Sequence, residues 1–238
     1  MATLKGQERQ NYVADLFSRI AKRYDLMNTL MTFGMHHRWK KTTAKLTCDN
    51  VSGVALDIAT GTGDLAVQLA YQSGIEHSVG IDLIPEMIDL AKSKSGKANL
   101  SEKTTFIIGD AVKLPFPNNT FACATAGFSL RNMPDLNTAI KEMVRVVQPG
   151  GRITTLELTP MNNGLISRLF RFYFHRVVPL VGYIIARDRS AYTYLPQSVD
   201  YFLESDSLAE VMRSAGLVDV GYRKVGCRTV AIHYGMKV

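Results

Sequence analysis

Between residues 54 and 158, short apolar, β-rich runs alternate with helix-like segments. That alternation is the signature of successive βαβ units around a parallel sheet. The runs predict strands at Val54–Ile58, Ser78–Asp82, Thr105–Gly109, Phe121–Ala126 and Arg152–Glu157. Leu65–Tyr71, Pro85–Ser93 and Leu136–Val147 have helical composition, and Pro85 suits a first helical turn. Pro149-Gly150-Gly151 punctuates the chain before the fifth strand. The chain ends in a helix at Ser207–Ala215 and strands at Val218–Val225 and Thr229–Tyr234, joined through Gly226 and Cys227. So tight a connection makes the last two strands antiparallel.

Upstream, Val13, Leu16, Phe17, Ile20 and Tyr24 recur at three- and four-residue intervals, marking the apolar face of a helix. Because it precedes the first strand, this helix packs on the sheet domain or covers its open edge. After the fifth strand, residues 162–186 mix aromatic, arginine and bulky apolar side chains without a strand pattern. This stretch reads as a helical insertion, extended to about residue 203. The expected fold is α/β: a Rossmann-like, seven-stranded, mostly parallel sheet with an antiparallel last strand. Residues 1–50 form an N-terminal helical cap, and residues 51–238 form the sheet domain carrying the insertion.

Composition narrows this only a little. A chain of 238 residues with 46% hydrophobic and 21% charged residues is long enough to bury a core and is neither disordered nor fibrous. A net charge of +7 and a pI near 9.3 favour an anionic partner, nucleic acid or an acidic membrane surface. No basic run with interleaved aromatics tracks a nucleic-acid backbone, so nucleic acid is not expected. Cys48, Cys123 and Cys227 lie far apart without a C-x-x-C, which implies neither zinc nor a disulfide framework and fits a reducing cytoplasm. Met1 to Gln10 is polar, unlike a signal peptide. No apolar run reaches the ~18 residues of a membrane span. The nearest, Val177 to Ala186, is short and interrupted by Pro179 and Gly182.

The chemistry concentrates where predicted strands end. Leu56-Asp57-Ile58-Ala59-Thr60-Gly61-Thr62-Gly63-Asp64 places glycines where a strand turns into a helix, letting backbone approach a ligand. Gly61-x-Gly63-x-x-Ala66 with Asp82 downstream also satisfies the dinucleotide fingerprint, so a nicotinamide or flavin enzyme competes. Asp64 separates the two: a carboxylate at the helix start disfavours a pyrophosphate and tolerates the cationic S-adenosyl-L-methionine. Asp82 ends the second strand, where it can accept from ribose hydroxyls. Asp110 and Ala111 end the third, offering a carboxylate to an adenine amino group and a backbone N–H to a ring nitrogen.

With these residues placed, the chain resembles the ubiquinone/menaquinone biosynthesis C-methyltransferase family over nearly its whole length. Tyr24-Asp25-Leu26-Met27-Asn28 through His37-Arg38-Trp39 resembles that family's Y-D-x-M-N…H-x-x-W signature. Arg145-Val146-Val147-Gln148-Pro149-Gly150-Gly151 through Glu157 resembles R-V-x-K-P-G-G…E, and Phe128-Ser129-Leu130-Arg131-Asn132 resembles F-x-[IL]-R-N. Departures are Gln148 for Lys, Thr159 and Thr32 for Ser, and Ala59-Thr60 where Gly or Cys is usual. The resemblance implies the class I methyltransferase fold and S-adenosyl-L-methionine held by Gly61, Thr62, Gly63, Asp82, Asp110, Ala111 and Ser129. It also implies methyl transfer to a ring carbon of a polyprenylated quinol such as demethylmenaquinol. A methyltransferase for another small acceptor remains the second reading.

Ring-carbon methylation needs an adjacent phenol made electron-rich, and a free phenol titrates near ~10. Arg131 is the first candidate for stabilising the oxyanion, as a permanent cation beside the fourth strand. Tyr24 can position the hydroxyl or relay its proton, with Asn132 as a hydrogen-bonding partner. Adjacent histidines on a helix diverge, so His36 and His37 are not expected to share a metal, and His37 braces the cap, with general-base duty left open to it. Phe170, Phe172, Tyr173 and Phe174 with Arg168, Arg171 and Arg176 leave four uses open: covering a prenyl tail, touching a membrane peripherally, packing in the core, or packing in a homodimer.

Overall fold

The computed structural model describes residues 4, 6–160 and 165–238. Seven strands form one sheet in the order β3-β2-β1-β4-β5-β7-β6. They are β1 (Gly53–Ile58), β2 (Ile75–Asp82), β3 (Thr104–Ile108), β4 (Phe121–Gly127), β5 (Val147–Leu158), β6 (Leu217–Val225) and β7 (Val230–Lys237). Pairings among β1 to β5 are parallel, while β7 runs antiparallel to β5 and β6. The expected sheet and terminal hairpin are therefore present. The strand order reverses between β1 and β4, and ligands bind beyond the carboxyl ends of strands at such a switch point.

Around the sheet lie α1 (Gly6–Thr32), α2 (Met35–Thr47), α3 (Asp64–Ala70), α4 (Pro85–Lys97), α5 (Leu136–Val146), α6 (Leu165–Phe172), α7 (Val178–Ala186), α8 (Arg189–Asp200) and α9 (Ser205–Ser214). Central β4 is buried along nearly its whole length, as a strand covered on both faces must be. Leu56, Ile58, Ala124 and Ala126 pack toward Ile140 and Met143 of α5 and Leu208 and Met212 of α9. Their neighbours Ala55 and Cys123 point the other way, onto Ala44 of α2 and Leu65 and Leu69 of α3. This period-two split divides one continuous apolar strand between two helical layers.

Two expectations change. Pro149-Gly150-Gly151 does not precede β5 but lies within it: Phe121 pairs Val147 while Cys123 pairs Arg152, a bulge that absorbs the extra residues. Gly151 is required there because a Cβ would stand 2.5 Å from the Ala122 carbonyl. The insertion, whose residues 162–164 lie outside the described residues, is helical without a break at Pro179. A π-helical turn at Tyr173–Val177 joins α6 to α7. Widening the turn just ahead of Pro179 accommodates the missing N–H and the ring. Ser167–Ala186 is then one helix long and apolar enough, at mean hydropathy 1.3, to cross a membrane by length and composition.

Candidate active site

The turn from β1 into α3 places Gly61 and Gly63 at φ 55° and 80°, with Gly63 itself the N-cap of α3. Asp82 anchors this turn, its carboxylate accepting from Gly61 N–H at 2.7 Å and Ile84 N–H at 3.0 Å. Burial pushes its pKa up, against the pull of those N–H donors. Asp110 accepts from Val112 N–H at 3.0 Å and from the Gln10 amide at 2.6 Å. Gly61, Asp82, Asp110, Ala111, Ser129 and Asn132 thus border one cavity of about 110 Å³, which α1 covers through Gln10, Val13 and Phe17. The Ser129 hydroxyl is buried there without a partner.

Thr62 and Gly63 stand apart from that cavity. The Thr62 hydroxyl donates to Asp25 at 2.6 Å and receives from Lys94 at 2.9 Å, and the residue lines a small adjoining space with Lys40 and Asp57. Gly63 serves packing, since a Cβ would approach that of Ala91 on α4 to 2.8 Å.

A second chamber of about 280 Å³ opens under α1, α2, α6 and α8, lined by aromatic and aliphatic side chains. Tyr24, Phe17 and Phe128 belong to the walls of both chambers. Burial raises the Tyr24 phenol's pKa, while the Asn28 side chain and the Arg131 guanidinium pull it down. Three unpartnered buried polar atoms sit on residues that line the apolar chamber: His36 Nε2, Arg131 Nε and the Tyr192 hydroxyl. Burial, reinforced by nearby Tyr24 and Asp188, pushes the Tyr192 phenol well above its usual range, so it keeps its proton and can donate.

Arg131 is no free cation. It lies in the turn after β4, only 5% exposed, and its Nη1 pairs with Glu157 at 2.5 Å and donates to the Phe128 carbonyl at 2.7 Å. It brings directional N–H donors to the chamber, its net charge cancelled by Glu157. Asn132 accepts from the Tyr194 hydroxyl at 3.1 Å, linking the two chambers' walls.

Asp64 also differs from expectation. It neither caps α3 nor offers a bare carboxylate, because Lys40 at 2.6 Å and Lys94 both pair with it. Burial would raise its pKa, but the two ammonium groups outweigh that and hold it well below the usual carboxylate range. Its charge therefore discriminates little between a pyrophosphate and a sulfonium cofactor. The histidines do not diverge either. Their ring centroids are 3.9 Å apart, and His36, His37 and Asp64 each bring one ligand atom within 4.8 Å of the others. The two lysines already on Asp64 oppose a further cation there. His36, not His37, is the buried member and stands three residues before Trp39, the spacing of H-x-x-W.

Ala59 and Phe128, both bordering the chambers, have φ of 50° and 58°. Left-handed backbone on non-glycine residues is strain of the kind held at functional sites. Asp57, 1% exposed, accepts from Thr60 at 2.6 Å, Thr125 at 2.8 Å and Ala66 N–H at 3.1 Å. Burial pushes its pKa up to about 6 despite those donors. Neither these residues nor Gln10, His36 and Tyr192 figured among the expected site residues, because each depends on a neighbour in space.

The family model described as ubiE/COQ5 methyltransferase matches residues 4–237. A ubiquinone/menaquinone biosynthesis C-methyltransferase UbiE of Rickettsia bellii is 37% identical over 99% of this chain and 96% of its own. A demethylmenaquinone methyltransferase of Roseiflexus sp. is 40% identical over 97% of this chain and 95% of its own. Among solved structures, the [4+2]-cyclase SpnF is similar at a TM-score of 0.71 and 19% identity, covering 98% of this chain and 97% of its own. A SAM-dependent methyltransferase from Thermotoga maritima is similar at 0.65 and 17% identity, covering 94% and 99%. Such identities establish the fold alone, and a cyclase among them shows that this fold hosts more than one chemistry.

Proposed function

The chain belongs to the ubiE/COQ5 methyltransferase family, and we propose that it methylates a ring carbon of a polyprenyl quinol, most simply demethylmenaquinol, with S-adenosyl-L-methionine as donor. One observation carries this reading: a cavity beyond β1, β2 and β3, with the Asp82 and Asp110 carboxylates in its wall, meets an apolar chamber at the shared wall of Tyr24, Phe17 and Phe128. The donor supplies an electrophilic methyl group on a sulfonium. Asp82 and Asp110 keep acceptor capacity for ribose and adenine, Ala111 and Gly61 bring backbone close, and the buried Ser129 hydroxyl has no protein partner to give up. In the apolar chamber the protein orients a ring and excludes water, which accounts for much of the rate in a transfer that needs chiefly alignment. Arg131 Nε and the Tyr192 hydroxyl donate toward a ring oxygen, and Tyr24 positions the ring against the donor.

The test is methyl transfer to reduced demethylmenaquinone and to a reduced ubiquinone precursor side by side. Turnover of neither removes the quinol reading. A thermal shift with S-adenosylhomocysteine but not NADH supports the donor.

A chamber of about 280 Å³ encloses a ring but not a long prenyl chain, so the tail leaves past Phe33, which is 80% exposed. We propose that it leaves into an anionic bilayer. On the helix from 167 to 186, Phe174, Val178 and Gly182 recur every fourth residue facing inward, while Leu169, Phe172, Leu180, Tyr183 and Ile184 are exposed. Arg168, Arg171 and Arg176 stand exposed on the same helix. An apolar outer face flanked by arginines fits a helix lying in the interface, its inner stripe kept on the protein. Flotation with anionic and zwitterionic liposomes tests this: no binding to either at low salt removes it.

A further inference from the structure

His36 lies in the first turn of α2 and is 2% exposed. Its Nδ1 is 2.8 Å from the Thr32 hydroxyl oxygen, which is itself 2.7 Å from the Asn28 carbonyl. A hydroxyl has one proton, and the carbonyl can only accept it. The Thr32 oxygen therefore receives the proton of His36 Nδ1. This fixes the neutral tautomer whose Nε2 carries a lone pair, and that atom is buried with no partner in the wall of the apolar chamber. The other unpartnered atoms there, Arg131 Nε and the Tyr192 hydroxyl, are donors. A ring nitrogen of His36 also lies within 4.8 Å of a carboxylate oxygen of Asp64, the residue that follows the Gly61–Gly63 loop.

Building on the quinol methyltransferase reading, we propose that His36 is a catalytic residue whose Nε2 accepts the proton of the quinol hydroxyl adjacent to the reacting carbon. As that O–H proton moves to Nε2, the ring carbon forms a bond to the methyl group and the sulfonium–methyl bond breaks, its electron pair remaining on a neutral thioether sulfur. The ring is then a ketone with a saturated carbon. Loss of that carbon's hydrogen as a proton to water restores aromaticity, and the oxygen recovers the proton held by the imidazolium. One proton is released overall. The transient imidazolium faces Lys40 and His37 from α2, Asp64 from α3 and Asp25 from α1. Burial, Lys40 and His37 hold the resting ring down to about 4 against the two carboxylates, so it is neutral and ready to accept at cellular pH. A base this weak serves because the hydroxyl becomes strongly acidic as the ring loses electron density to the new bond.

The experiment compares wild type, His36→Gln and Thr32→Val in steady-state methyl transfer to a reduced demethylquinone, with S-adenosylhomocysteine thermal shift reporting an intact fold. Glutamine keeps an acceptor for the hydroxyl but cannot take its proton. His36→Gln is expected to hold KM within about threefold while kcat falls ~10²-fold or more. Wild-type kcat/KM is expected to fall as pH drops toward about 4, and that fall is expected to be absent in His36→Gln. Thr32→Val frees the tautomer and is expected to lower kcat by about tenfold. A wild-type kcat in His36→Gln overturns the proposal, as does a lowered kcat with an unchanged pH profile. If His36→Gln no longer responds to S-adenosylhomocysteine, Thr32→Val decides, and an unaltered kcat there overturns it. Absence of wild-type turnover would instead retire the quinol reading and this proposal with it.

Discussion

Glu157→Gln tests how the apolar chamber is held together. Glu157 is 1% exposed, and its carboxylate pairs with Arg131 at 2.5 Å while accepting from Leu158 N–H at 2.8 Å. At an effective dielectric of about 20, opposite charges at that separation attract by roughly 7 kcal/mol, and the desolvation of both ions cancels a large part of it. Glutamine keeps an acceptor oxygen and removes the charge, leaving a guanidinium buried without a counter-ion. Such losses cost about 3–5 kcal/mol, which in a protein of this size lowers the melting temperature by about 6–20 °C. Thermal unfolding followed by circular dichroism measures it. The double variant Arg131→Met/Glu157→Leu is expected to be more stable than Glu157→Gln, since it buries no charge. A melting temperature within about 1 °C of wild type for Glu157→Gln, or a double variant less stable than the single, would refute the claim that Arg131 is neutralised in place.

Gly182→Ala would drive a Cβ into the Tyr192 ring at Cγ. The α7–α8 contact must then open, with an expected loss of about 1–3 kcal/mol and a raised quinol KM, read by melting and kinetics. Ala59→Gly removes a left-handed alanine and is expected to raise stability by up to about 1 kcal/mol, or to leave it unchanged where added chain entropy offsets the relief; a clear loss would contradict the strain. Asp57, with its folded pKa raised to about 6, binds its proton more tightly folded than unfolded. Its contribution is complete below about pH 3.8 and is lost as pH rises through about 6, amounting to about 3 kcal/mol. His233 is opposite in sign: burial lowers it to about 4, so its contribution is full above about pH 6.5 and lost as pH falls toward 4. Chemical denaturation from pH 4 to 8 with Asp57→Asn and His233→Gln is expected to remove one slope each.

The strands were legible because each buried run is local and bounded by its own turn residues. The bulge at Pro149-Gly150-Gly151 was not, since a bulge exists only relative to its partner strand. Nor was the helix through Pro179, where a π turn six to two residues earlier suspends the rule that proline ends a helix. Asp82 and Asp110 could be placed from strand ends alone. The neutralisation of Arg131 by Glu157 and of Asp64 by Lys40 and Lys94 could not, because those partners meet only when distant elements fold together. His36 and His37 are indistinguishable in a string of letters. Burial and the Thr32 hydroxyl separate them.

Helix α1 is the roof of one chamber and the side of the other: Gln10 latches it to Asp110, while Phe17 and Tyr24 face both cavities. Lifting the latch to exchange spent donor therefore disturbs the acceptor's seat in the same motion. Turnover in such a protein is geared rather than modular, and the two ligands cannot keep independent residence times. Loosening Gln10 should shorten the stay of a hydrophobic molecule it never touches.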